Sequence, residues 1–108
     1  MAMLEAAFAA LAEPRRRAIL LALGSGELAA GDIAARFEVT RPAISQHLAV
    51  LRQAGLVEER RDGTRRWYRA RREGLEPIRD WIGSFWDDRL DALRAAVEAE
   101  HLATPPED

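Results

Sequence analysis

No cysteine occurs in the chain, and no lysine. The first absence excludes a disulfide framework and any thiolate metal site. It also fits a reducing compartment, and the expected location is cytoplasmic. The second leaves arginine to supply all sixteen basic residues. Its forked donors suit phosphates and guanine edges in a way that a point charge does not. Histidine is scarce, with only His47 and His101. No nucleophile–histidine–acid set can be assembled, so no enzyme is expected. Long hydrophobic runs are lacking too. Runs such as Ala18 to Leu23 are far short of the roughly 20 residues that cross a bilayer, so no membrane partner is expected. The opening MAMLEAAFAALA is apolar, but Glu5 sits inside it and Arg15, Arg16 and Arg17 follow it. A signal peptide carries its positive charge first. Leu4, Phe8 and Leu11 instead have the spacing of an amphipathic helix.

What remains is ordinary for a globular protein: 48% hydrophobic and 31% charged residues in 108. That length fits one domain, placed here at residues 1–102, with 103–108 as a flexible polar tail. The charge is unevenly spread. Residues 36–72 carry ten arginines against four acids, whereas residues 73–108 carry three against ten. A basic middle between acidic flanks suggests a polyanion-binding face on a chain whose net charge is only −2.

The spacing predicts a first helix over Leu4 to Leu11. A second opens at Glu13-Pro14, since proline is tolerated in a first turn, and buries Ile19, Leu20 and Leu23. "GSGE" ends it. Leu28-Ala29 is a connector or a one-bridge strand. A short third helix runs from Gly31-Asp32 to Phe37. Glu38, Val39 and Thr40 are all that separate it from a fourth, Arg41 to Ala54, with Thr40 as N-cap and Gly55 as the stop. Ile44, Leu48 and Leu51 make its apolar stripe. Then Leu56 to Arg61, Asp62-Gly63, and Thr64 to Ala70 form the pattern of a β-hairpin whose turn is Asp-Gly. The last helix starts near Leu75 and runs to about Leu102. Its stripe is Leu75, Ile78, Ile82, Phe85, Trp86, Leu90, Leu93 and Val97.

Two short helices joined by three residues and followed by a hairpin make a winged helix-turn-helix. The fold class is mainly α, with five helices and a small hairpin. Ala34 is small where the two helices cross, although Glu38 occupies a turn position often held by glycine. A helix fits the major groove, where base edges carry a distinct donor and acceptor code, and the second helix of the motif is the reader. Gln46 can pair bidentately with adenine. Arg41 can reach phosphate or guanine, Ser45 can take either partner, and Pro42 can pack on sugar or a thymine methyl. His47 has two readings, a half-buried hydrogen-bonded side chain or a DNA contact. Arg60, Arg61, Gly63, Arg65 and Arg66 lie at the wing tip, where arginines follow phosphates or enter a narrow minor groove. Arg15, Arg16 and Arg17 form either a phosphate clamp or a solvated face with one arginine tied to an acid.

"EPRRRAILLAL", then "GELAAGDIAARFEVTRPAISQHLAVLRQAGLVEERRDGTRRWYR", then the long last helix resemble the ArsR/SmtB family of bacterial winged-helix repressors. The likeness covers about residues 5–98. It implies a homodimer built through the first and last helices, with Leu4, Phe8, Leu11, Ile82, Phe85, Trp86, Leu90, Leu93 and Val97 at the interface. It implies a palindromic double-stranded DNA operator and repression relieved by an inducer. The family's metal positions are not filled: the ELCxCD stretch reads Glu27-Leu28-Ala29-Ala30-Gly31-Asp32, and the last helix lacks the DxH and HxxE or HxxH pattern. No metal and no cofactor is therefore expected, as in a metal-independent branch of the family. Two other readings stand beside this one. Trp81, Phe85 and Trp86 could line the pocket of an unknown small-molecule effector instead of packing a dimer. The winged helix could also serve as a protein-interaction module.

Overall fold

The computed structural model describes residues 2–103, so all of the expected tail but Ala103 lies outside the described residues. The elements run α1 (Ala2–Leu11), α2 (Pro14–Leu23), β1 (Leu28–Ala29), α3 (Ala30–Phe37), α4 (Arg41–Gln53), β2 (Val57–Asp62), β3 (Arg65–Ala70) and α5 (Arg72–Ala103). The strands form one antiparallel sheet in the order β1-β3-β2. Two compact units divide between Ile78 and Arg79, inside α5.

The first unit holds the core. Ile19 of α2, Ile33 of α3, Ile44, Leu48 and Leu51 of α4, and Leu56 and Val57 at the start of the wing are almost completely buried. Burying each such side chain contributes about 1.5–3 kcal/mol. α1 approaches through small residues, since Ala7 and Ala10 are its buried positions. Ala34 is buried where α3 and α4 cross. Phe37, Val39, Leu20 and Leu11 pack against this core from its edges.

Three local features decide how α4 is held. The Thr40 hydroxyl accepts the Ala43 N–H at 3.3 Å, so the N-cap binds one of the orphan donors of the helix start. Gly55 follows the helix at φ +77°. In the turn before the helix, Glu38 is left-handed at φ 54°, the one non-glycine residue with positive φ among the described residues. The absence of glycine there is therefore real strain, of about 1 kcal/mol. Glu38→Gly should raise stability by about 0.5 kcal/mol, because relief of that strain exceeds the added freedom of the unfolded chain. Urea unfolding measures it, and a lower midpoint would show that Glu38 makes compensating contacts.

Among the expected boundaries that move, two matter most. The hairpin pairs Asp62 with Arg65, so its two turn residues are Gly63 and Thr64, not Asp62 and Gly63. Only Gly63 has positive φ, at 64°. Glycine first and a negative φ second is the pattern of a type II′ turn, which spares Asp62 a left-handed conformation. The shift also sets the side-chain faces, because a one-residue slip would turn every wing residue over. α5 begins at Arg72, earlier than the apolar stripe suggests, and carries Pro77 inside it. Gly74 allows this early start by lying directly against Gly55: a Cβ on Gly74 would sit 1.8 Å from the Gly55 carbonyl oxygen.

Candidate nucleic-acid interface

α4 has two unlike sides. Ile44, Leu48 and Leu51 face the core, while Arg41, Pro42, Ser45, Gln46, Arg52 and Gln53 are exposed. The stripe and the cap together fix which residues project outward. Among the described residues no carboxylate pairs with Arg41, whose guanidinium lies over Gly31. A Cβ on Gly31 would meet Arg41 Nη1 at 3.3 Å.

The wing also has two faces, set by the register of its hairpin. On one, Arg60 pairs with Trp67 and Asp62 with Arg65; on the other, Glu59 pairs with Tyr68 and Arg61 with Arg66. The first face carries cation–π contacts, with Arg65 5.0 Å and Arg60 5.9 Å from the Trp67 ring centroid. The Trp67 Nε1 is buried without a hydrogen-bond partner.

The second face is organised by Glu59, a residue that sequence reasoning missed. Its side chain is only 13% exposed. It accepts from Arg52 Nη1 at 2.6 Å and from the Tyr68 hydroxyl at 3.2 Å. Arg61 Nε and Arg66 Nε lie 3.8 and 4.0 Å from its other oxygen. The carboxylate thus ties the end of α4 to both strands of the wing. Burial, and then the Glu59 charge, push the Tyr68 hydroxyl pKa up, so Tyr68 remains a donor. The signal was available: Glu59 is two residues from Val57, hence on the core face of β2, and an acid placed there needs partners.

α4 and the wing meet at a cleft of about 340 Å³ whose lining includes Gly31, Arg41, Ser45, Thr64, Arg65 and Arg66. Four of the expected DNA-contacting residues therefore share one concavity. Pro42 and Gln46 are exposed on α4 outside its lining, and Gly63 is exposed at the wing tip. Arg61 is 67% exposed. Arg65 also faces Asp32 at 3.8 Å. Arg60 is directed elsewhere, donating to Glu27 through Nε and Nη2 at 3.1 and 2.9 Å. That bidentate contact holds the Glu27 carboxyl below its ordinary pKa and raises that of Arg60.

His47 is half-buried, with Nδ1 3.5 Å from Arg16 Nη1. The run of Arg15, Arg16 and Arg17 has a use that neither expectation named. Arg16 Nε donates to the Ala10 carbonyl at 2.5 Å, and Arg17 Nη1 to Leu11 and Ala12 at 2.7 and 3.3 Å. Arg15 Nη1 donates to the Phe37 carbonyl at 3.0 Å. These three side chains satisfy carbonyls at the ends of α1 and α3, where the helix dipole favours a cation.

In α1, Phe8 is 40% exposed and Leu4 half-buried, whereas Leu11 packs against the core. In the second unit, Trp81, Ile82, Phe85, Trp86, Leu90, Leu93 and Val97 are 41–60% exposed. Phe85 and Trp86 meet edge to face at 5.8 Å, and Arg89 lies 5.7 Å from the Phe85 ring centroid. His101 is exposed. Among the described residues no group of three or more histidines, cysteines or acids could hold a metal ion, and no helix is long and apolar enough to cross a membrane.

A capped helix presenting polar side chains beside an arginine-rich hairpin defines a winged helix-turn-helix DNA-binding protein. The family model for bacterial regulatory proteins of the arsR family matches residues 13–59. The chain is 43% identical over 94 residues to the HTH-type transcriptional regulator Rv2034 of Mycobacterium tuberculosis, covering 87% of this chain and 88% of that protein. The chain belongs to the ArsR family of DNA-binding transcriptional regulators and is not an enzyme. It is also 37% identical over 78 residues to the transcriptional repressor SdpR of Bacillus subtilis, covering 72% of this chain and 87% of that protein. Among solved structures, it is similar to a homodimeric winged helix-turn-helix DNA-binding domain from Mycobacterium bovis, determined by solution NMR. The identity there is 34% and the TM-score 0.62, over 98% of this chain and 87% of that one.

Proposed function

We propose that the chain is a homodimeric repressor that binds a palindromic operator through α4 and the wing. The observation that carries this reading is the convergence of Arg41, Ser45, Arg65 and Arg66 on one cleft between α4 and the hairpin. Exposed Gln46, with Pro42 beside it, supplies base-edge contacts in the major groove; Arg61 and the backbone at Gly63 supply phosphate contacts. His47 acts indirectly, as the neighbour of Arg16. The exposed stripe of α5 meets the partner copy, and so do Phe8 and Leu4 of α1. Binding both half-sites at once then requires the two copies of α4 to lie about 34 Å apart, one turn of the duplex.

The test compares DNA from upstream of the protein's own gene with a random duplex of equal length, across a salt titration. Tighter binding to the upstream DNA at every salt concentration is expected. Equal binding would contradict sequence-specific repression.

Glu27 tunes the wing within this reading. As a carboxyl with a depressed pKa, it keeps its hold on Arg60 above the ordinary carboxylate range and loses it as pH falls through the lowered value. Glu27→Gln should release Arg60 to the duplex at neutral pH. The slope of log affinity against log salt should then steepen by up to about 0.9 per subunit. An unchanged slope in that titration would mean Arg60 takes no part in binding even when free.

A further inference from the structure

We infer that Arg41 is a backbone-phosphate anchor and not a base reader, and that the cleft it shares with Ser45, Thr64, Arg65 and Arg66 seats one phosphodiester of the duplex. This deepens the operator-binding reading and rests on it. Arg41 could in principle serve either purpose from the first turn of α4, because guanidinium fits both guanine edges and phosphate.

The geometry favours phosphate. Arg41 is laid back over Gly31 in α3, with 3.3 Å between Nη1 and the position a Gly31 Cβ would take. The cleft gathers three guanidinium-bearing residues and three hydroxyl-bearing ones, Ser45, Thr64 and Tyr68, and no carboxylate is among its lining residues. Asp32 lies 3.8 Å from Arg65, and Glu59 lies 4.0 Å from Arg66 and accepts from the Tyr68 hydroxyl at 3.2 Å. Neither is paired with Arg41. Three like charges in one concavity repel each other, and an anion placed among them relieves that repulsion. A base edge would bring only one or two acceptors to such a site. A phosphodiester brings two unesterified oxygens that share a full negative charge, which guanidinium forks and hydroxyls can divide between them.

The consequence is a division of labour along one helix face. Arg41 and Ser45 line the cleft, and Gln46, one residue on, does not. Register on the duplex is set at the cleft, and base choice is made beyond it.

The test uses the full chain, a duplex selected from a random pool, and a scrambled duplex of equal length, titrated at several salt concentrations. Arg41→Ala should weaken binding to both duplexes by the same factor, about tenfold. It should also reduce the log–log salt slope by about 0.9 per subunit. A pool selected with Arg41→Ala should return the wild-type sequence preference. Arg41→Lys should recover most of the slope, because a point charge still meets a phosphate but cannot make the bidentate guanine contact. Inorganic phosphate added at constant ionic strength should leave wild-type affinity unchanged.

Loss of preference at one base pair in Arg41→Ala, with the slope intact, would overturn the assignment. So would competition by inorganic phosphate, which would mark a free-phosphate site. If the wild type bound both duplexes equally, the operator-binding reading would fail. The slope difference on the scrambled duplex would still decide whether Arg41 contacts phosphate.

Discussion

Gly74→Ala is expected to destabilise the protein by about 3 kcal/mol or more, a large part of the 5–15 kcal/mol typical of a whole domain. The added methyl group has nowhere to go. It would lie 1.8 Å from the Gly55 oxygen, 2.7 Å from the Gly55 carbon and 3.3 Å from the Leu56 Cα. All three are backbone atoms, so no rotamer change relieves the overlap. Gly55 cannot yield easily, because it sits at φ +77° between α4 and β2. The Leu56 carbonyl also accepts the Arg71 N–H at 2.8 Å, and Arg71 Nη1 donates to the Gly55 carbonyl at 3.1 Å. Either the first turn of α5 must unwind or the junction of α4 with the wing must move. Gly83→Ala is the control. It lies in the same helix with nothing within 4 Å of its Cβ position, so it should raise stability by up to about 1 kcal/mol. Thermal unfolding should put the two variants on opposite sides of the wild type. A Gly74→Ala midpoint within a degree or two of wild type would disprove the contact.

The other large effect belongs to the last helix. Leu90→Glu should leave the first unit folded and lower affinity for two-half-site DNA by about 100-fold or more. Leu90 is already 55% exposed in the single chain, so a charge there disturbs no buried packing within the chain. In a dimer through α5 it would place two carboxylates in an apolar seam, where burying charge is costly. Each half would then bind alone, without the effective concentration that linkage to its twin provides. Sedimentation should report monomers, with far-ultraviolet dichroism retained. A Leu90→Glu dimer of unchanged affinity would place the subunit contact elsewhere.

Local signals of the fold were legible in the sequence, and contacts between distant residues were not. The i, i+4, i+7 stripe of Ile44, Leu48 and Leu51 gave the inward side of α4, and with Thr40 and Gly55 its limits. The same pattern left Arg41, Pro42, Ser45 and Gln46 outside. In the wing, the Asp-Gly pair marked a hairpin but misplaced its turn by one residue. A two-residue loop with only one positive φ needs glycine first, and the register decides which residue that is. The early start of α5 was hidden because it depends on Gly74 meeting Gly55, nineteen positions away in the chain. The roles of Arg15, Arg16 and Arg17 were hidden because their acceptors are carbonyls outside their own helix, on Phe37 of α3 for Arg15 and at the end of α1 for the other two. The pairings of Arg60 with Glu27 and of Arg52 with Glu59 also join separate elements. They explain why a plain count of arginines overstates the charge free to meet DNA.

In the proposed repressor the outward side of α4 reads sequence. Selection from a random duplex pool, run with the wild type and with Gln46→Ala, tests it most directly. The wild type should enrich a twofold-symmetric sequence. Gln46→Ala should enrich the same sequence with preference relaxed at one symmetric pair of positions, where discrimination falls by about 1–3 kcal/mol. Enrichment of an identical sequence by both proteins, undiminished at every position, would contradict the account.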